Sequence, residues 1–143
     1  LQNLQVSKKE FLSKVLTAFD MPPSHIVDMY GFSESNSMFI DCEYGYKHVP
    51  IWNKVIIRDC KTMEPLSNGK EGIIQILDVL PHSYPGHSLI TDDIGYLCTG
   101  KKCKCGRAGQ VFKIVKRASG SEAKGCGDML ADMLERGNYH TNE

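Results

Sequence analysis

No run of apolar residues in this sequence approaches the ~20 needed to cross a bilayer, so no membrane span is expected. No basic-then-apolar signal segment opens the chain either; it begins with Leu1 and not Met, and the natural start is expected upstream. Neither sign of charge is in excess: 17 Lys and Arg balance 17 Asp and Glu, for a formal net charge of zero. Proteins that wrap nucleic acid carry a basic surplus, so nucleic acid is not expected as the main partner. Six cysteines at uneven spacing are too few for a disulfide scaffold. Reduced thiols in a cytoplasmic protein, some of them metal ligands, fit better. Internal repeats and low-complexity segments are missing as well. What remains is 143 residues, 41% hydrophobic and 24% charged, the composition of one soluble domain with a real core.

Ser7 to Phe19 reads as an amphipathic helix, because Phe11, Leu12, Val15, Leu16 and Phe19 recur at three- and four-residue spacing. Ser7 with Glu10 forms a capping-box pattern, and Pro22 and Pro23 stop the helix. A short strand is expected around Ile26 to Tyr30, before a turn at Gly31. From Met38 to Leu97 the chain changes to short runs rich in Val, Ile and Tyr, punctuated by Gly, Pro, Asn and Asp. Strands are expected at Val55 to Asp59, from Gly72 to Leu77, and at Val111 to Lys116. A terminal helix is expected over Asp128 to Leu134, and a frayed tail from Gly137. The fold class is therefore α+β: a small twisted antiparallel sheet or barrel, flanked by an N-terminal helix and a short C-terminal α/β segment.

Cys42 and His48, followed much later by Cys103 and Cys105, offer four ligands of the sulfur and imidazole type that zinc prefers. Gly106 would let the backbone curl so that both late cysteines reach one metal. Such a site would join two distant segments and stand in for core that a small subdomain lacks. Spacing leaves two alternatives open: the cysteines are small buried hydrophobes, or Cys98 replaces one of the four. Cys60, at a strand end, reads as a packed thiol.

Four short motifs occur in a set order. Tyr30-Gly31-Phe32-Ser33-Glu34 resembles the Tyr-Gly-x-Thr/Ser-Glu motif of adenylate-forming ligases. Gly69-Lys70-Glu71-Gly72 resembles their Gly-Glu-x-Gly turn, and Thr91-Asp92-Asp93-Ile94-Gly95 their Thr-Gly-Asp-Leu-Gly. Cys103-Lys104-Cys105-Gly106-Arg107 is similar to the Cys-x-Cys-Gly-Arg stretch of phenylacetate-CoA ligase relatives. The segments Tyr44 to Pro50, Leu80 to Gly86 and Lys124 to Asp128 look like those of LuxE-type acyl-protein synthetases. That resemblance implies an acyl-adenylate made from ATP and a long-chain fatty acid, passed to a cysteine and then to an acyl reductase.

The resemblance also implies roles. Tyr30 would pack on adenine beside the Gly31 turn, and Ser33 would donate to the α-phosphate. Glu34 would hold Mg²⁺, Asp93 would accept from the ribose hydroxyls, and Arg117 would contact ribose or phosphate. Outside the motif order, Tyr30 reads as core, Glu34 as a solvated turn residue and Asp93 as a turn former. The related CoA ligases carry a zinc site with a cysteine, a histidine six residues on and a Cys-x-Cys, a pattern that Cys42, His48, Cys103 and Cys105 fit. Cys126 stands at the acylated cysteine's position. Lys124 nearby, and the start of the terminal helix, would lower its pKa, while Gly125 and Gly127 leave room for the acyl-adenylate.

The family pattern is not matched throughout. Asp92 and Lys116 stand where glycines are usual, and Ala118, Ser119 and Gly120 replace the paired hinge aspartates. The terminal lysine motif of the CoA-forming relatives is absent, which favours transfer to an internal cysteine. Three parts are expected: residues 1–37 as the end of a large nucleotide-binding domain, 38–115 as a β-rich subdomain, and 116–143 as a hinge and truncated C-terminal segment. The phosphate loop and acyl pocket would lie upstream, leaving this piece with little activity and an apolar surface near the first helix prone to self-association. A CoA-forming ligase fragment and a zinc-stabilised, non-catalytic binding module are the competing readings.

Overall fold

The computed structural model of the chain describes residues 6–98 and 103–118. Lys124, Cys126 and the helix expected over residues 128–134 lie outside the described residues. Helix α1 (Lys8–Phe19) starts where the Ser7 hydroxyl accepts the Glu10 N–H at 3.2 Å. The Glu10 carboxylate turns the other way and pairs with Lys14 at 2.9 Å, one helical turn on. Asp20 ends α1 in the left-handed conformation, φ 49°, with its N–H on the Leu16 carbonyl. None of the described side chains of α1 is buried; Phe11 is 59% and Phe19 69% exposed. Leu12, Val15 and Leu16 are half-buried, so the apolar stripe is exposed at its two ends, Phe11 and Phe19.

Pro23–His25 form a single 3₁₀ turn, closed by the Ile26 N–H on the Pro23 carbonyl. Ile26 is extended, but only Met29 and Tyr30 find ladder partners, at Ile40 and Phe39, so the strand expected from Ile26 shrinks to β1 (Met29–Tyr30). The remaining strands are β2 (Phe39–Asp41), β3 (Lys47–His48), β4 (Asn53–Arg58), β5 (Gly72–Asp78), β6 (Ser88–Leu97) and β7 (Val111–Arg117). They make one antiparallel sheet in the order β1-β2-β3-β7-β6-β5-β4.

The sheet is open, which corrects the barrel alternative. A barrel needs its two outer strands to pair, and here β1 and β4 stand at opposite edges. β1 offers two residues against the six of β4, and the outer edge of β4 is already used. There the chain turns back, Leu66 donating to the Ile57 carbonyl at 2.7 Å and Arg58 bridging to Pro65. The same turn lifts Cys60 away from the sheet, and its thiol is exposed, not packed. The Asp59 carboxylate holds that turn by accepting the Lys61 and Thr62 N–H groups.

Strand alternation sends Val55, Ile57, Ile74, Ile76, Leu97, Phe39 and Phe112 into one core, against which Tyr30, Phe32 and Leu66 are packed. Phe39 and Phe112 meet edge to face at 5.4 Å, and the Tyr30 ring lies 6.1 Å from each. Lys47 is buried beside this core and pairs with Asp41 at 2.9 Å and Asp28 at 3.5 Å, joining β3 to β2 and to the approach to β1.

One irregularity of the sheet bears on function. Between the pairs Ile73–Ile94 and Gln75–Ile90, a single residue of β5, Ile74, faces Thr91, Asp92 and Asp93 of β6. This bulge frees the Ile74 carbonyl, and the buried Thr91 hydroxyl donates to it at 3.1 Å. The Thr91 oxygen in turn accepts the Asp93 N–H at 3.2 Å. Bulges re-aim side chains, and this one turns Asp92 and Asp93 toward a cleft.

Candidate functional site

The cleft has a volume of about 630 Å³, within the range of small-molecule sites. Tyr30, Gly31, Ser33, Glu34, Asp93 and Arg117 all line it. They come from three segments: the end of β1 with the turn after it, the β6 bulge, and the last residue of β7. The pairing of β6 with β7 sets Asp93 opposite Arg117.

Tyr30 joins core to cleft. Its ring sits among Phe32, Phe39 and Phe112, and its hydroxyl donates to Asp93 Oδ2 at 2.7 Å. Burial, and then the hydrogen bond to the Asp93 carboxylate, push the phenol above its ordinary pKa. Tyr30 thus stays a neutral donor. The Asp93 Oδ1 side faces Arg117 Nε at 3.9 Å, and Arg117 also lies 3.9 Å from Asp92 Oδ2. A carboxylate has about four lone-pair directions, so Asp93 keeps acceptor capacity after binding Tyr30. Ser33 and Glu34 are exposed on the facing turn.

Phe32, Leu89, Ile90, Thr91 and Asp92 line the cleft as well and were not singled out from sequence. Thr91 and Asp92 flank Asp93 in its motif, so the motif already held a signal for them. Leu89 and Ile90 carried none, because ordinary strand alternation accounts for them.

The second constellation lies at the other end of β3 and β7. Cys42 follows β2 in a turn where its N–H donates to the Tyr46 carbonyl and the Gly45 N–H to its own carbonyl. His48 ends β3. Cys103 and Cys105 precede β7, where Gly106, at φ 82°, donates to the Cys103 carbonyl at 2.9 Å. β3 pairs with β7 through Lys47–Phe112 and His48–Val111, which joins the two halves.

The four ligand atoms lie within 4.8 Å of one another. Cys42 Sγ is 3.7 Å from Cys103 Sγ, and Cys105 Sγ is 3.3 Å from His48 Nε2. A tetrahedral zinc with Zn–S near ~2.3 Å holds its sulfurs about 3.7 Å apart. The donor set fits that metal. Cys98 packs beside the cluster but is not one of the four.

Burial and the Arg107 cation hold His48 below its ordinary pKa, in the neutral form that ligates metals. At Cys42, burial raises the thiol pKa, but hydrogen bonds from the Tyr46 and Tyr44 backbone and from Cys103 and Cys105 outweigh it and bring it down. At Cys103 the Cys105 N–H lowers the pKa, but burial and the neighbouring thiols outweigh it and raise it. Among the described residues no helix is long and apolar enough to cross a membrane.

The family model described as "Acyl-protein synthetase, LuxE" matches residues 1–135. The chain belongs to the LuxE acyl-protein synthetase family. A long-chain-fatty-acid–luciferin-component ligase of Aliivibrio fischeri is 26% identical over 136 residues, covering 94% of this chain and 35% of the relative. The ligase of the same description from Vibrio harveyi is 30% identical over 126 residues, covering 87% and 32%. This LuxE-family chain therefore spans about a third of the length of these relatives. Among solved structures, the luciferase-like enzyme of the nonluminescent Zophobas morio mealworm aligns with a TM-score of 0.48 at 17% identity, over 78% of this chain and 29% of its own. ATP-bound MatB from Rhodopseudomonas palustris aligns at 0.42 with 19% identity, over 64% and 20%.

Proposed function

We propose that this LuxE-family chain supplies one wall of the nucleotide site of an ATP-dependent acyl ligase, which forms a fatty acyl-adenylate and transfers the acyl group to Cys126 for delivery to a reductase. The observation that carries this reading is the convergence of Tyr30, Glu34, Asp93 and Arg117 on one cleft of nucleotide size.

In this reading the fatty carboxylate attacks the α-phosphorus of ATP and pyrophosphate leaves. The Cys126 thiolate then attacks the acyl carbonyl and AMP leaves, giving a thioester. Asp93 accepts from the ribose hydroxyls with the lone pairs that Tyr30 leaves open, and the Tyr30 ring edge borders the adenine. Ser33 donates to the α-phosphate, and Arg117, held by Asp92 and Asp93, faces ribose or phosphate. Glu34, an exposed carboxylate on the cleft wall, is the residue that would hold Mg²⁺, which screens phosphate charge. Lys124 would favour the thiolate of Cys126. Cys42, His48, Cys103 and Cys105 would hold a zinc ion with every position filled by protein, which makes it a structural ion.

The test is to incubate the complete protein with radiolabelled long-chain fatty acid, ATP and Mg²⁺. Protein-bound label that disappears in Cys126→Ser supports the synthetase. Label found in a CoA thioester, with none on protein, gives the CoA-forming ligase instead. Neither product leaves the zinc-stabilised binding module; bound zinc does not separate the three readings, because each would hold it at Cys42, His48, Cys103 and Cys105.

A further inference from the structure

The turn that carries Ser33 and Glu34 is tied down from a distance. Asp78 ends β5 and is 1% exposed. Its Oδ2 accepts the Ser37 hydroxyl at 3.0 Å and the Ser35 hydroxyl at 3.4 Å, residues 41 and 43 positions away in sequence. Its Oδ1 accepts the Leu80 N–H at 2.9 Å. The Asp78 N–H donates to the His87 carbonyl at 3.0 Å, so the carboxylate is anchored on the sheet. Ser35 also accepts the Ser37 N–H at 3.1 Å, which closes the turn on itself. A second tie comes from the same segment: the Tyr84 hydroxyl donates to the backbone carbonyl of Glu34.

A buried carboxylate accepts and cannot donate, so it orients every hydroxyl around it inward. The Ser35 and Ser37 hydroxyls are therefore fixed toward the sheet, and Ser33 and Glu34 are left facing the cleft. We propose that Asp78 is a positioning residue: through Ser35 and Ser37, with Tyr84 beside them, it holds the Ser33–Glu34 turn where the phosphates of a nucleotide lie. This rests on the nucleotide reading of the cleft. It assigns the 78–87 segment to phosphate recognition, although neither Asp78 nor Tyr84 lines the cleft.

Adenosine and ATP share the base and ribose but differ in the phosphates, so they separate positioning of this turn from general damage. Ser37→Ala, Tyr84→Phe and Asp78→Asn are compared with wild type in the complete protein. Calorimetry measures ATP with Mg²⁺ and adenosine, and hydrogen exchange follows the amides of residues 33–37 without ligand. ATP affinity is expected to fall about tenfold in Ser37→Ala, Tyr84→Phe and Asp78→Asn, with adenosine affinity unchanged. Exchange at residues 33–37 is expected to rise about tenfold while β5 and β6 stay protected. Ser37→Thr, which keeps the hydroxyl, should restore ATP affinity. If Asp78→Asn does not fold, Ser37→Ala and Tyr84→Phe carry the test. Unchanged exchange, or ATP and adenosine affinities falling together, overturns the positioning role while the nucleotide site stands. Wild-type protein that binds neither ligand overturns the nucleotide reading and this role with it.

Discussion

The Tyr30 hydroxyl donates to the Asp93 carboxylate at 2.7 Å across 63 residues of sequence. This bond links the first strand of the sheet to the bulged sixth strand at the floor of the cleft. It also ties the Tyr30–Glu34 motif to the Thr91–Gly95 motif.

Removing that bond tests its worth. Tyr30→Phe keeps the ring in the Phe39–Phe112 cluster and takes away only the hydroxyl. A hydrogen bond to a charged group contributes about 1.5–3 kcal/mol, so denaturant unfolding should show a loss of that order. An unchanged midpoint would show that Asp93 is equally well served by water.

The same pair sets an alkaline response. Burial and Asp93 raise the Tyr30 pKa in the folded state above the ordinary tyrosine value of 10.0. The unfolded chain therefore releases this proton first. Stability from Tyr30 is complete below about pH 10 and declines as pH rises through the folded pKa, by at most ~1.4 kcal/mol per pH unit for one group. Melting curves from pH 9 to about 11.5 should steepen downward in wild type more than in Tyr30→Phe. Identical pH dependence in the two proteins would contradict the assigned shift.

Asp93→Ala should weaken ATP binding by the complete protein about tenfold or more, because both the ribose acceptor and the partner of Tyr30 and Arg117 are lost. Asp92→Ala, which removes a carboxylate 3.9 Å from the exposed Arg117, should change affinity less than about threefold. The reverse ranking would move the ribose contact to Asp92.

Metal analysis should return one zinc per chain, and chelation should lower the melting temperature by about 10 °C or more. Cys42→Ser and Cys103→Ser should each lose the metal, and Cys98→Ser should keep it. A purified sample without stoichiometric metal, whose melting is indifferent to chelator, rejects the site.

Phe11 and Phe19 are the exposed ends of the apolar stripe of α1. Changing both to Ser should leave the sheet's stability within about 0.5 kcal/mol and reduce self-association in sedimentation, since neither side chain is buried. By contrast, Phe112→Ala in the core should cost about 3–5 kcal/mol.

Much of the local structure was legible in the sequence because its causes are local. The three- and four-residue spacing from Phe11 to Phe19 and the Ser7 cap mark α1, and the apolar alternation of Val55 and Ile57 marks β4. The strand expected from Ile26 falls short because only Met29 and Tyr30 meet ladder partners, and those partners, Ile40 and Phe39, come from another segment. Cys60 reads as a packed thiol and is exposed, because its burial depends on where the 59–66 turn leaves the sheet, and that is set by contacts with Ile57 and Arg58. Asp78 gave no signal at all, since a carboxylate at a strand end ordinarily faces water.

Residue order by itself determined the helix, most strands, the glycine turns and the order of the ligase-like motifs, all of which depend on neighbours a few positions apart. Only the tertiary structure decided that the sheet stays open, that the β6 bulge turns Asp93 into the cleft, and that Asp78 reaches Ser35 and Ser37. The meeting of Cys42 and His48 with Cys103 and Cys105 was decided there too, by the pairing of β3 with β7. Each of these is a contact between segments dozens of residues apart. Such contacts depend on how strands share a core and on which hydrogen-bonding edges remain free, and no short window of sequence contains that information.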